Sequence, residues 1–312
     1  MTGVQLPSDP APDGYVSNPY TSEIDAALAY LHAEKESTDG WQDIDTKDGI
    51  IMEKKYIPGD SSAIPVVRGH GLVKSLSPAA LLSAICQPSA RHHWDSRFES
   101  GGLLERYARR TYKFYSVQKG VGIFVSQRDI VGVQSVVFPN GEVENGFEVV
   151  QTSVSGDPDN SGRVRATLTC AGWTVVPRGE DLEVSYVVKI NPNGSIPSAV
   201  AAKVVQDIPL AIVNISNFIR SSGYPPYIAS SSITSQLRTE TFNLENKRHE
   251  IKCIAGDQDE EIHIAVDPKP FGGNWKVEVA GNGVSVEKKD DNTAVVRVSG
   301  GSGKFEVNIS AA

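Results

Sequence analysis

Two alternating strands followed at once by a long apolar-faced helix leave this chain few folds to choose from. In Arg163–Val176, the residues Val164, Ala166, Leu168, Cys170, Gly172 and Thr174 fall on one face, and Arg163, Arg165, Thr167 and Thr169 on the other. Leu182–Ile190 repeats the pattern, with Leu182, Val184, Tyr186, Val188 and Ile190 opposite Glu183, Ser185 and Lys189. The PRGED between them is turn chemistry. One face of such a sheet needs cover, and the next stretch, Ile196–Ser222, supplies it. With Ser195 as N-cap, its residues Val200, Val204, Ile208, Ile212, Ile215 and Ile219 recur every three or four positions, opposite Lys203, Gln206, Asn217 and Arg220. At 1.5 Å per residue the helix runs roughly 40 Å, enough to cross a whole sheet. Pro209 removes a backbone hydrogen bond and predicts a kink near Ile208. Leu210 and Val213 fall off the apolar arc, on the expected solvent side.

The rest of the chain arranges itself around this pair. Residues 1–19, rich in Pro, Asp, Gly and Ser, read as a flexible tail. Glu23–Lys35 reads as a helix through Ile24, Leu28 and Leu31, and GIIMEKKYI and VVRGHGLV as strands. Ser77-Pro78 opens a short helix carrying Leu81, Leu82 and Ile85, and a second short helix is expected around His92–Phe98. Tyr107–Ile190 reads as an antiparallel meander. Residues 20–226 thus form an α+β domain, 227–235 a linker, and 236–312 a small all-β sandwich built from HEIKCIA, EEIHIAV, NWKVEVA, TAVVRVS and KFEVNIS.

Composition removes several classes. With 30 Lys+Arg against 38 Asp+Glu, a net charge of −8 argues against a nucleic-acid partner. Cys86, Cys170 and Cys253 are scattered and odd in number, which predicts no disulfide framework and a reducing compartment. The start lacks a signal-peptide pattern, and no apolar run approaches the roughly 18 residues that span a bilayer, so a soluble, cytoplasmic protein is expected. GGSGK at 300–304 lacks phosphate-loop spacing and reads as a hairpin turn. His92-His93 has no third metal ligand at suitable spacing, and Cys86 and Cys170 lie in apolar settings where a thiol is packing. Neither a metal nor a cofactor is expected. The apolar faces either meet in a solid core or leave a cavity for a large apolar ligand, and both have the same lining.

RGHGLVKSLSP, HHWD with FESGGLLE behind it, SQRDIVGV, GRVRATLTCAGWTVVP and NPNGSIPSAV occur in the order and spacing of one family. Over roughly residues 20–226 the chain resembles the START (StAR-related lipid transfer) family. That resemblance implies a helix-grip fold, in which a curved antiparallel sheet and the C-terminal helix enclose one lipid. Ile196–Ser222 would be the moving lid, with Phe138–Gly146 as a neighbouring mobile loop. Cholesterol-binding members carry a buried Glu and Arg on adjacent strands. Aligned without gaps through SQRDIV, those positions fall on Tyr115 and Gln134, so the charged sterol signature is absent. Arg128 and Asp129 are at least as well suited to holding the sheet as to touching ligand.

The resulting expectation is a cytoplasmic lipid-binding and transfer protein without catalysis, taking a sterol-like or phospholipid-like ligand and meeting membranes transiently. Tyr115, Ile130, Gln134, Val136, Leu168, Cys170, Val184 and Tyr186 would line the pocket, with Val204, Ile208, Ile212 and Ile215 closing it. One alternative is a helix-grip enzyme, a cyclase or hydrolase using Tyr115, Asp95 or His70. Another is a lipid sensor acting on a protein partner through the β domain.

Overall fold

The computed structural model describes residues 14–60, 62–121, 125–156, 162–230 and 232–312. Most of the predicted tail lies outside the described residues. The chain divides into two compact units, one holding Val16–Pro78 and Asp95–Ser216, the other Ala79–Trp94 and Asn217–Ala312.

The first unit is built on a ten-stranded sheet. Its strands are β1 (Trp41–Lys47), β2 (Ile50–Lys55), β3 (Val66–Val73), β4 (Phe98–Ala108), β5 (Thr111–Gln118), β6 (Arg128–Val137), β7 (Phe147–Ser153), β8 (Val164–Arg165), β9 (Thr167–Arg178) and β10 (Asp181–Asn191). The order is β1-β2-β3-β10-β9-β7-β6-β5-β4, with β8 pairing parallel to β6. The expected meander is present from β4 to β10, and β1–β3 are joined to its far edge through antiparallel pairing of β3 with β10.

Helix α1 (Thr21–Glu36) covers one face of the sheet, called here the outer face. Its stripe of Ile24, Ala27 and Leu31 packs on Val66, Val133, Val150, Cys170 and Val187. A glycine makes that fit: a side-chain carbon at Gly172 would lie 2.6 Å from Leu31 Cδ1, well inside van der Waals contact. The end of α1 is secured by Arg68 of β3, whose Nη1 donates to the carbonyls of Glu34 (2.8 Å), Lys35 (3.3 Å) and Ser37 (3.1 Å). A cation there satisfies orphan carbonyls and suits the negative end of the helix dipole. The same guanidinium is held by Glu53 at 2.6 Å.

The predicted 27-residue helix is two helices, α4 (Ser198–Asp207) and α5 (Ala211–Ser222), bent by 49°. The break falls at Ile208–Leu210, as the missing N–H of Pro209 demands. Pro197, rather than Ser195, stands at the N-cap of α4, without a side-chain cap. The bend also moves the apolar stripe: in α4 the buried residues are Ala201 and Val205, while Val204 is only half-buried. Val213, expected toward solvent, is buried, and Leu210 is half-buried. Among the described residues no single helix is long and apolar enough to cross a membrane.

The second unit contains two four-stranded antiparallel sheets. One has the order β11 (Tyr227–Ile228), β14 (Glu260–Ala265), β17 (Thr293–Val298), β16 (Val284–Asp290); the other β12 (Gln236–Asn243), β13 (Arg248–Ile254), β18 (Lys304–Ala311), β15 (Trp275–Ala280). Alternate residues are buried, among them Ile262, Ile264 and Val296 on one sheet and Ile251, Val307 and Ile309 on the other, which is the pattern of a sandwich core. Trp275 is buried and donates Nε1–H to Asp291 O at 2.8 Å. The turn at 300–303 is not a hairpin, because β17 and β18 lie in different sheets.

The unit also takes in α2 (Pro78–Cys86) from Ala79 onward and α3 (Pro88–Arg91), which replaces the helix expected at His92–Phe98. Local polar bonds explain the assignment. Ser83 Oγ donates to Pro225 O at 2.6 Å, Phe242 N donates to Ser89 Oγ at 3.2 Å, and His93 stacks on Phe218. The division expected at 227–235 therefore differs from the compact units, and that stretch opens with strand β11 rather than a free linker.

Candidate functional site

Opposite α1, the inner face of the sheet meets the break between α4 and α5. Gly69 of β3 marks the point: a side-chain carbon there would lie 2.9 Å from Pro209 O, 3.1 Å from Pro209 Cβ and 3.3 Å from Ile212 Cδ1. Ile208, Ile212 and Ile215 recur at helical spacing around it and are each at most 1% exposed. The two sides of the sheet are covered differently. α1 runs close to β9 and β7 and also reaches β10 and β6, whereas among the described residues neither α4 nor α5 makes such an extended approach to any strand.

Cross-strand partners share a face, so register sorts the expected site residues. Val133 lies under α1, which sends its alternates Ile130, Gln134 and Val136 to the inner face. Val187 likewise lies under α1, which places Val184 and Tyr186 on the inner face, beside Gly71 and Gly69 of β3. Tyr186 stacks on its partner Trp173, ring centroids 4.0 Å apart.

Leu168 and Cys170 were expected on one face, yet they stand on opposite ones. The register steps from Lys189↔Cys170 to Ile190↔Leu168, leaving Thr169 as an extra residue. This β-bulge turns Leu168 inward with Ile190 and leaves Cys170 under α1. Cys170 is therefore no pocket residue: its Sγ donates to Ala27 O at 3.6 Å, and burial pushes its thiol up to about 12.

Tyr115 is also on the outer face. It pairs with Val131 and packs with Val117 and Val131, while Tyr112, three positions earlier in the strand and so on the opposite face, is the residue opposite Gln134. The Tyr115 hydroxyl donates to Asp129 Oδ2 at 3.3 Å and accepts from Arg163 Nη1 at 3.2 Å. Asp129 is fully buried and held by Arg165 through both oxygens, at 2.7 and 3.2 Å. Burial, then the Asp129 charge, raises the Tyr115 phenol. These residues tie β5, β6 and β8 together, one of the two roles open to Asp129. Arg128, next along the strand, points inward and ties down the segment before α4 by donating to Asn193 O (3.4 Å) and Ser195 O (3.2 Å).

The enzyme candidates do not converge. His70 is on the outer face of β3, bound to Glu53 at 3.0 Å, and Asp95 sits 3.8 Å from Arg97. Tyr115 is five strand spacings from His70, on the order of 24 Å at about 4.8 Å each.

Sequence reasoning passed over Gly69, Tyr112, Gln151 and Trp173. Gln151 donates Nε2–H to Gln134 Oε1 at 2.6 Å, and Gln134 is 1% exposed. A buried carboxamide needs such a partner. The available signal was a lone Gln in each of two apolar strands, DIVGVQSVV and FEVVQTS.

No family model matches the chain, and no curated protein sequence matches it. Solved structures do. Human StAR-related lipid transfer protein 5 has a TM-score of 0.56 and 14% identity, over 64% of this chain and 95% of that one. Human STARD10 has a TM-score of 0.51 and 16% identity, over 67% and 85%. A STAR-related lipid transfer protein fragment from Xanthomonas axonopodis has a TM-score of 0.50 and 22% identity, over 58% and 99%. With the sheet order, the helix broken at Pro209 and the inner face between them, these likenesses lead to one conclusion: the chain carries the helix-grip fold of the START (StAR-related lipid transfer) domains.

Proposed function

We propose that this protein binds one lipid between the inner face of the sheet and the α4–α5 pair and carries it between membranes through the cytoplasm, with no chemical step. The observation that carries the reading is the unequal cover of the sheet. α1 lies directly on the outer face, while α4 and α5 approach the inner face closely at Gly69 without an extended approach elsewhere among the described residues. Apolar side chains facing each other there, Ile130, Leu168, Val184 and Tyr186 from the sheet and Ile208, Ile212 and Ile215 from the helices, suit a lipid tail. The START-domain structures share this fold and are named for lipid transfer.

In this reading the helices swing on the break at Pro209 to admit the ligand. Val213 is buried, so membrane contact in the closed form falls to Leu210 at the break. Incubation with mixed phospholipid–sterol vesicles, re-isolation and mass spectrometry should give one bound lipid per chain. Protein recovered without lipid, from vesicles that remain intact, would overturn the reading.

A further inference from the structure

Polarity is not spread evenly over the inner face. Register links Arg106 of β4 to Tyr112 of β5, Tyr112 to Gln134 of β6, and Gln134 to Gln151 of β7. Cross-strand partners project on the same side, so these four side chains form one row across four neighbouring strands. The row continues into apolar residues, since Gln151 is opposite Ala171, and Ala171 opposite Val188. The rows on either side are mainly apolar: Val136 with Val149 and Trp173 on one side, Leu103 with Phe114 and Gly132 on the other, ending at Ser153. One row of guanidinium, phenol and two carboxamides therefore crosses the β4–β7 end of the inner face; other polar side chains on that face, Ser116, Gln118 and Arg128, lie toward the far ends of β5 and β6.

Arg106 is the charged member of the row, and one of its N–H groups is left without an acceptor. Its Nη1 donates to Arg109 O, and its guanidinium carbon stands 5.2 Å from the Tyr112 ring centroid. Its Nε is buried without a hydrogen-bond partner, and among the described residues no carboxylate pairs with it. Arg106 is half-buried, and a buried guanidinium N–H without an acceptor is costly until a ligand supplies one. The planar fork it presents matches a phosphate or carboxylate. The Gln134–Gln151 pair offers neutral amide groups beside it, suited to the ester or hydroxyl oxygens next to a head group.

Resting on the lipid-binding reading above, we infer that the cargo is a lipid with an anionic head group, a phosphate or a carboxylate. The head group lies against Arg106 and the Gln134–Gln151 pair, with its tail running over the apolar end of the row toward β10 and β3. Neutral sterols and diacylglycerol can accept a hydrogen bond from Arg106 but carry no anionic group to balance its charge.

The test uses the full chain and phosphatidylcholine vesicles doped with equal amounts of phosphatidic acid, oleic acid, diacylglycerol and cholesterol. Lipid retained after re-isolation is measured by mass spectrometry. Wild-type protein should retain the anionic lipids about tenfold or more over diacylglycerol, the scale of one charge-assisted hydrogen bond. Phosphatidic acid against oleic acid then separates phosphate from carboxylate recognition. Arg106→Gln should bring the ratio close to one while total bound lipid persists, and Arg106→Lys should keep part of the preference. Arg106→Met provides the same reading if the glutamine variant fails to fold. An unchanged ratio in a folded, uncharged variant would overturn the inference, as would neutral lipids held by wild type as well as anionic ones. Retention of no lipid of any class would instead overturn the lipid-binding proposal itself.

Discussion

Replacing Gly69 by alanine tests how closely the helix break is seated on the sheet. The added carbon would lie 2.9 Å from Pro209 O and 3.1 Å from Pro209 Cβ. The first is a backbone atom and cannot rotate away, so the break must lift by a few tenths of an ångström. Overpacking of this kind costs about 1–3 kcal/mol. The strand conformation at 69 is open to alanine, and the loss of glycine's freedom in the unfolded chain returns about 0.4–1 kcal/mol. The net expectation is a loss of about 0.5–2 kcal/mol, read as a lowered urea midpoint at unchanged slope. The strain of about 1–3 kcal/mol acts on the closed form alone, and the unfolded-chain term does not enter this step, so lipid release should quicken by roughly 5- to 140-fold, at about 1.4 kcal/mol per tenfold. A neutral or stabilising Gly69→Ala, with unaltered release, would refute the close seating.

Two further expectations follow from buried polar groups. Asp129→Asn removes the charge that holds Arg165 by both oxygens; breaking a buried pair costs about 3–5 kcal/mol, and the 32% exposure of the Arg165 side chain puts this case near the lower end. A loss under about 1 kcal/mol in urea unfolding would show that the cluster does not hold the sheet. Burial raises the phenols of Tyr30, Tyr107 and Tyr115, with Glu34, Glu105 and Asp129 respectively adding to the effect. A raised folded value favours the neutral form, so their contribution is complete below the usual pKa of about 10 and is lost as pH rises through the raised values. In an alkaline titration followed by phenolate absorbance, these three tyrosines should ionise above the usual phenol range while the chain stays folded. A single transition near pH 10 with the fold intact would contradict their burial.

Much of the fold could be read directly from periodicity. The stripe Ile24, Ala27, Leu31 shows why α1 packs where it does, and Val184 and Tyr186 face inward as their alternation says. Misassignments arose where one residue changes phase. The extra Thr169 reverses Leu168 relative to Cys170, and no change of polarity announces it, because Thr suits either a pleated position or a bulge. Tyr115 was misplaced by an ungapped alignment, and a shift of one position exchanges the two faces of a strand. Pro209 foretold the break, but not that the bend would bury Val205 more deeply than Val204. Residues 79–94 looked like part of the helix-grip unit because the bonds from Ser83 and Ser89 reach partners more than 140 residues away, a distance that local pattern does not span. The polar row was hidden for the same reason: its members are scattered over four strands and meet only through register.

The joining of β3 to β10 sets an order of events for the growing chain. The paired residues lie roughly 110 residues apart, so the hairpin-like start β1–β3 leaves the ribosome with one edge open and must wait for the last strand of the sheet. Closing so long a loop is entropically slow. Until then Val66, Val67 and Met52, all fully buried in the finished protein, have no partner. The chain should thus be most prone to aggregate during synthesis, when its N-terminal third is complete and its tenth strand is not. A variant that stops before Asp181 would hold that vulnerable state indefinitely, and chaperone dependence should peak there rather than at the sandwich.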